Sequence, residues 1–288
     1  MENNHSLFHW VSAKPTILVT GAIGKSDVIH MLTACIAYGA LSKDIHLMEV
    51  ETANGAKADL IIDTDLAVTN DICRMEDVVY KPDCGCFLAH IGSERVMVKV
   101  AMPGVHAVKH AMIVMQAVDV FGGDLAKASM ALANLSPRVG FGKTQRIGSI
   151  NYAYTLMDYT KHASMLTFEA ALGHMSMLEK EHMASTILVI GEMEDALPDH
   201  LACLLNQYGI DRILTLDKVV ALAAKTLGLH VELFDEVAFL NLRLERLVSV
   251  GDILMIIGQE KDGLGSLVST LEKQEDIMQK ILPPLAAE

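Results

Sequence analysis

The segment Thr20–Ser26, which reads T-G-A-I-G-K-S, is typical of a loop that binds phosphate. It follows an apolar run at 16–19 that predicts a short strand, and Lys25 and Ser26 stand where the next helix should begin. The N–H groups at a helix start attract an anion, a lysine there adds a positive charge, and a serine hydroxyl can hold Mg²⁺. We therefore predict a nucleotide-binding loop. The full pattern also has a glycine at the position of Val19, so a turn without function is the alternative.

The first half of the chain has to position this loop, and its pattern predicts alternating strands and helices. One helix should span about 25–40 and another 106–121, each with apolar residues at helical spacing. Asp124 predicts the N-cap of a short helix that ends near residue 135. The predicted strands are Thr16–Thr20, Asp44–Glu49, Leu60–Asp63, Leu66–Thr69 and a hairpin of Phe87–Ile91 with Val96–Val100.

The second half of the chain repeats a strand and helix alternation that predicts a mostly parallel sheet. We expect an α/β protein with an N-terminal tail at 1–14, a shortened P-loop-type domain at 15–147 and a Rossmann-like α/β domain at 148–288. The predicted strands are Tyr152–Met157, Thr186–Ile190, Arg212–Leu216, Val231–Phe234 and Ile253–Ile257. The predicted helices between and after them are Ser164–Glu179, Pro198–Tyr208, Lys218–Leu227, Glu236–Leu247 and Leu264–Lys280.

The composition indicates a folded, acidic protein. Of the 288 residues, 51% are hydrophobic and 20% are charged, which favours sizeable cores over disorder. The net charge is −13, and the chain has no run of four or more lysines or arginines. Because nucleic acids are bound through their phosphates by clustered positive charge, we expect no nucleic-acid partner.

The cysteines and the apolar runs bear on the compartment. Among the five cysteines only Cys84 and Cys86 are close in sequence, and a C-x-C pair alone is weak evidence for a metal site. We expect reduced thiols in a cytoplasmic protein. The first 14 residues do not resemble a signal peptide, and no apolar run approaches 18 residues, so we expect no membrane partner. Surface positions are expected for the histidines of the second half, His174 among them.

Several further segments follow the loop in the order found in the Mur ligase superfamily, whose phosphate loop T-G-x-x-G-K-[ST] resembles Thr20–Ser26. Each match is weak alone, but their common order makes coincidence a poor explanation. The chain is therefore identified as similar to the central ATP-binding and C-terminal domains of these ligases, in a truncated form with degenerate motifs. The matching segments are 69–70 (T-N), 103–106 (P-G-V-H), 140–143, 156–159 (L-M-D-Y), 191–194 with His200, and 251–254 with Gly258.

The resemblance implies a reaction and a set of site residues. In this family a substrate carboxylate attacks the γ-phosphate of ATP to give an acyl phosphate, and an amine then displaces phosphate to form an amide. The implied cofactors are ATP and Mg²⁺, and the implied partners are a small-molecule carboxylate and an amine. By the resemblance Lys25 is catalytic, Ser26 and Glu49 hold the metal, and the nucleotide contacts are Thr20, Gly21, Gly24, Lys25, Ser26, Asn70, His106 and Asp158.

Three of these residues also have ordinary structural interpretations. Glu49 at a strand end could be a solvated carboxylate, Asp158 could cap a strand end, and His106 could cap the start of its helix. The sequence alone leaves these alternatives open.

The chain also departs from the family pattern. The family's two asparagines after His106 are Ala107 and His110, and its arginine after Gly140 is Phe141. We expect no counterpart of the segment that carries the family's carbamylated lysine and, with only about 15 residues before the first strand, none of the family's UDP-sugar domain. Two hypotheses follow: an ATP-dependent carboxylate–amine ligase, or a catalytically silent relative that binds nucleotide and serves a protein partner. A plain P-loop NTPase is a weaker third.

Overall fold

The computed structural model describes residues 15–21, 24–50, 58–65, 73–136, 138–148, 153–161, 163–180, 183–193 and 196–281. It forms two compact units, the first of which ends at Ser136. The sequence places the boundary after residue 147, whereas in the structure the strand Lys143–Ile147 pairs with Tyr154–Tyr159 of the second unit. This pairing assigns 143–147 to the second unit. Of the predicted features, the strand at 66–69 and Asn70 lie outside the described residues.

The loop is held by a three-stranded parallel sheet in the first unit. Strand β1 lies between β2 and β3, with Val19 in register with Glu49 and Thr20 in register with Asp63. The carboxyl ends of all three strands therefore meet at the edge where the chain leaves β1 for the loop. The bounds are β1 Thr16–Thr20, β2 His46–Glu49 and β3 Leu60–Asp63, and the helix after the loop is α1, Lys25–Ala37.

A three-stranded antiparallel sheet and two helices complete the described part of the first unit. The predicted hairpin is confirmed, and its strand β5 buries Phe87, Ala89 and Ile91 in a core shared with the helices. Strand β4 was not predicted, because polar side chains such as Glu76 interrupt its apolar pattern and a bulge follows Glu76. The bounds are β4 Cys73–Tyr80, β5 Gly85–Ile91, β6 Glu94–Val100, α2 Val105–Val120 and α3 Leu125–Ala133.

The second unit is built on a six-stranded sheet in the order β11-β10-β9-β12-β8-β7. Its strands pair in parallel except for β7, which runs antiparallel to β8, so the predicted Rossmann-like α/β fold is confirmed. The strands are β7 Lys143–Ile147, β8 Tyr154–Tyr159, β9 Thr186–Ile190, β10 Arg212–Thr215, β11 Val231–Leu233 and β12 Ile253–Ile257. The helices are α4 Met165–Met175, α5 Pro198–Gln207, α6 Lys218–Thr226, α7 Val237–Leu247 and α8 Leu264–Ile281.

Two details of this unit differ from expectation. Strand β7 was not predicted, because it carries mainly polar residues, as an edge strand can. His174 is buried rather than at the surface, with Nδ1 2.8 Å from the hydroxyl oxygen of Tyr159.

Among the helices that the structure describes, none is long and apolar enough to cross a membrane.

Candidate nucleotide-binding site

Two glycines set the shape of the loop between β1 and α1. Gly21 has φ of 122° and Gly24 has φ of 83°, a region that side chains other than glycine rarely adopt. A Cβ on Gly21 would overlap the side chain of Thr64, and a Cβ on Gly24 would overlap the ring of His110. Glycine is therefore required at both positions by conformation and by space. The two residues between them, 22 and 23, lie outside the described part of the chain.

Lys25 begins α1 and folds back over the loop. Its Nζ donates a hydrogen bond of 2.8 Å to the carbonyl oxygen of Gly21. This contact holds the ammonium group beside the loop, next to the N-terminus of a 13-residue helix whose backbone N–H groups carry partial positive charge. The position suits a cation that meets a phosphate.

The two predicted metal ligands lie together. Ser26 Oγ donates a hydrogen bond of 3.1 Å to Oε2 of Glu49, which ends β2. A hydroxyl and a carboxylate are the oxygen ligands that Mg²⁺ prefers, and Mg²⁺ commonly takes the rest of its shell from water and phosphate. Within the described residues no group of three or more His, Cys, Asp or Glu side chains could hold a metal ion.

Asp63, which was not predicted as a site residue, joins this edge. It ends β3, and its Oδ1 accepts a hydrogen bond of 3.0 Å from the backbone N–H of Asp65. The same oxygen would lie 3.2 Å from a Cβ on Gly21, which places the carboxylate beside the loop. The signal in the sequence was the position of this acid at the end of a predicted strand, because the carboxyl ends of neighbouring parallel strands meet at one edge of the sheet.

Helix α2 presents two histidines of different character. The predicted nucleotide contact His106 is exposed in the first turn, and His110 is buried one turn later, with ring centroids 6.3 Å apart. The pKa of His110 is lowered to about 4, chiefly by burial and also by the charges of His106 and Lys109, while Asp65 acts in the opposite direction. His110 is therefore neutral near pH 7. In the sequence, His110 stands out only as a departure from the family pattern.

Asp158 lies in the second unit, at the end of β8, and is 1% exposed. Its Oδ2 accepts from the N–H of Gly140 at 2.6 Å, and its Oδ1 accepts from the N–H and hydroxyl of Thr160 at 3.1 and 2.7 Å. These bonds fix the turn before β7, which is the strand-end role that the sequence left open. The role of Asp158 toward an ATP ribose stays a prediction.

A second acid of this unit, Asp262, explains two glycines of the resembling segments. Its Oδ2 accepts from the N–H groups of Glu192 at 3.1 Å and Gln259 at 2.8 Å. A Cβ on Gly191 would overlap this carboxylate, and one on Gly258 would approach it to 2.9 Å. Burial raises the pKa of Asp262. The glycines that end β9 and β12 thus make room for a carboxylate that ties the two strand ends together.

Comparison with solved structures identifies the architecture. The chain is similar to the UDP-N-acetylmuramoylalanyl-D-glutamyl-2,6-diaminopimelate–D-alanyl-D-alanyl ligase of Acinetobacter baumannii, with a TM-score of 0.74 and 13% identity, over 90% of this chain and 76% of that one. It is similar to MurF of Thermotoga maritima in complex with ADP, with a TM-score of 0.68 and 11% identity, over 92% and 81%. MurC of Thermotoga maritima gives a TM-score of 0.66 and 14% identity, over 92% and 76%.

The similarity is one of structure. No family model matches the sequence, and a comparison with curated proteins finds no match. The chain nevertheless combines a parallel-sheet unit that carries the segment Thr20–Ser26 with a Rossmann-like unit, in the order seen in those ligases. The chain therefore has the fold of the central and C-terminal domains of the Mur ligases.

Proposed function

We propose that the protein binds ATP with Mg²⁺ at the phosphate loop and uses it to join a carboxylate to an amine. The observation that carries this proposal is the hydrogen bond between Ser26 and Glu49, directly after the loop lysine. Residues far apart in sequence supply the hydroxyl and the carboxylate that a phosphate-bound Mg²⁺ needs. The fold shared with MurF, which was solved with ADP, supports the nucleotide assignment.

In this proposal the first unit holds the triphosphate. The N–H groups at the start of α1 and the ammonium of Lys25 neutralise the phosphate oxygens, while Ser26 and Glu49 hold Mg²⁺. Thr20, at the end of β1, and His106, at the start of α2, belong to the same unit. Asn70 and Asp158 are further proposed nucleotide contacts.

The proposed chemistry is transfer of a phosphoryl group to a carboxylate. A carboxylate oxygen attacks the γ-phosphorus, the bond to the β,γ-bridging oxygen breaks, and ADP leaves. An amine then attacks the acyl carbon, phosphate leaves, and the amine loses a proton to solvent. The residues named above stabilise the charge that moves onto the phosphate oxygens.

A catalytically silent nucleotide-binding protein is the second candidate. The observation that favours it is the engagement of both oxygens of Asp158 with Gly140 and Thr160, which occupies the acid that the resemblance assigns to the ribose. Such a protein would bind ATP and act through a protein partner. For either candidate we propose a cytoplasmic location.

Trapping the acyl phosphate separates the two candidates. The protein is incubated with ATP, Mg²⁺, pooled amino acids and peptides, and hydroxylamine, which converts an acyl phosphate to a hydroxamate with release of phosphate. We expect hydroxamate from the wild type, with at least as much phosphate because amines of the pool also displace it, and neither product from Lys25→Ala. Binding of ATP without hydroxamate or phosphate would contradict the ligase proposal and favour the silent protein.

A further inference from the structure

The imidazole of His110 lies against the phosphate loop with an unused nitrogen. It is 3% exposed, and its Nδ1 is buried with no hydrogen-bond partner among the described residues. The side of the ring that carries Nε2, Cε1 and Nδ1 fills the space where a Cβ on Gly24 would stand. Because Gly24 is the N-cap of α1, the ring lies beside the N–H groups that open this helix.

A buried nitrogen without a partner is costly. Leaving such a group unpaired destabilises the fold, and in native proteins these groups usually have a partner. The charged groups around the ring come from three elements. Asp27 of α1 has Oδ2 3.8 Å from Nδ1, Asp65 follows β3, and His106 and Lys109 lie on α2. The carboxylate of Asp27 is thus just beyond hydrogen-bond distance of the unused nitrogen.

We propose that His110 is a further anion contact of the loop, which donates from Nε2 to an oxygen of a bound phosphate while Nδ1–H turns to Asp27. This inference rests on the proposed function, because it requires a phosphate at the start of α1. An imidazole donates from both nitrogens only when protonated. When the anion binds, the His110 ring therefore takes up one proton from solvent. His110 then becomes a third positive group beside Lys25 and the helix N-terminus.

The sign of the pH effect follows from linkage. The free protein holds His110 neutral, since burial lowers its pKa to about 4. A negative phosphate beside the ring favours the charged form and raises the pKa in the complex. Proton uptake on binding means that affinity for the phosphate ligand increases as pH falls from 8 toward 6. Removing His110 removes that part of the pH dependence.

The test is titration calorimetry with ADP in two buffers of different ionisation enthalpy at pH 7. We expect the wild type to take up a proton on binding, whereas His110→Asn takes up none and binds about tenfold more weakly or worse, as for a lost hydrogen bond to a charged group. His46→Asn, an exposed histidine at the amino end of β2, is the matched control and should behave as the wild type. Thermal unfolding without ligand shows whether each variant is folded.

A second measurement does not depend on a variant. In wild type labelled with ¹⁵N-histidine, the His110 ring nitrogens should move to the shifts of a protonated imidazole when ADP is added. Unchanged ring shifts, or equal proton uptake and affinity within twofold in His110→Asn, would overturn the inference while leaving the proposed function intact. Absence of ADP binding to the wild type would overturn both.

Discussion

The loop between β1 and α1 requires that neither Gly21 nor Gly24 carries a Cβ atom. Both residues adopt positive φ, and a Cβ on either would overlap a neighbouring side chain. At this scale the sequence predicted the lysine and the serine from the spacing of the motif, and Glu49 from the resemblance to the Mur ligases. Asp63 and His110 were not identified as site residues, because only the strand register and the packing of α2 bring them to the loop.

Gly24→Ala should abolish nucleotide binding and destabilise the first unit. The new methyl group meets the His110 ring, and φ of 83° is strained for alanine. The matched control is Gly39→Ala, which has φ of 71° but no atom within 4 Å of its Cβ. The difference between the two melting temperatures isolates the effect of the ring contact. Equal losses of stability would contradict the packing described here.

His110 should also make the stability of the first unit depend on pH. Its folded pKa is about 4 and its ordinary value is 6.5, so between these values the unfolded chain binds a proton that the folded unit does not. The stabilisation is fully present above pH 6.5 and is lost as pH falls toward 4, by about 2 kcal/mol at pH 5. Hydrogen exchange of α2 amides at pH 7.5 and 5 measures it. A His110→Asn variant with the same pH dependence as the wild type would refute the assignment.

At the scale of elements, a capping carboxylate fixes where helix α6 of the second unit begins. Asp217 is the N-cap of α6, and its Oδ1 accepts from the N–H groups of Val219 at 2.6 Å and Val220 at 3.3 Å. Its Oδ2 accepts from Met193 N–H at 3.0 Å, which joins the segment after β9 to the helix. One side chain thus serves two elements.

Asp217→Ala should therefore lower the free energy of unfolding of the second unit by about 1–2 kcal/mol, as for other lost N-caps, or more because Met193 N–H also loses its acceptor. Denaturant unfolding of both variants measures the change. Asp235→Ala, an exposed aspartate near the start of α7, is the control and should change stability by less than about 0.5 kcal/mol. Equal effects would show that the cap contributes nothing specific.

The elements show where sequence patterns suffice. Strands β1, β3, β9 and β12 were predicted with their observed bounds, because each is a short apolar run with clear ends. Strands β4 and β7 were not predicted, because polar side chains on an exposed face or at a sheet edge remove the apolar pattern. Pairing with a neighbouring strand, which the sequence does not display, makes them strands.

A salt bridge between β11 and α7 predicts how the stability of the second unit changes at acidic pH. Glu232 accepts bidentate hydrogen bonds from Arg243, and this contact lowers the pKa of Glu232. The stabilisation by this salt bridge is fully present above pH 4.5, the ordinary pKa of a glutamate, and is lost as pH falls through the lower pKa of Glu232 in the folded protein. Because both side chains are partly exposed, we expect Arg243→Gln to cost at most about 1 kcal/mol at pH 7 and nothing at pH 2. Unfolding at the two pH values tests this, and an equal cost at both would contradict it.

For the whole molecule, the two units follow the order of the Mur ligase domains at 11–14% identity. The order of the motifs along the chain predicted this fold, because several weak matches in the same order as in the family are stronger evidence than any one of them. The activity is a separate matter, because the side chains that surround the loop differ from the family pattern at Ala107 and His110.

Titration of the protein with ATP and Mg²⁺ tests the central claim most directly. The loop account predicts saturable binding to the wild type and a matching rise in melting temperature, as for any ligand that prefers the folded state. Lys25→Ala should lose both, whereas Lys43→Ala, an exposed lysine just before β2, should keep both. Absence of binding by the wild type, or equal binding by Lys25→Ala, would contradict the assignment of this loop to a nucleotide.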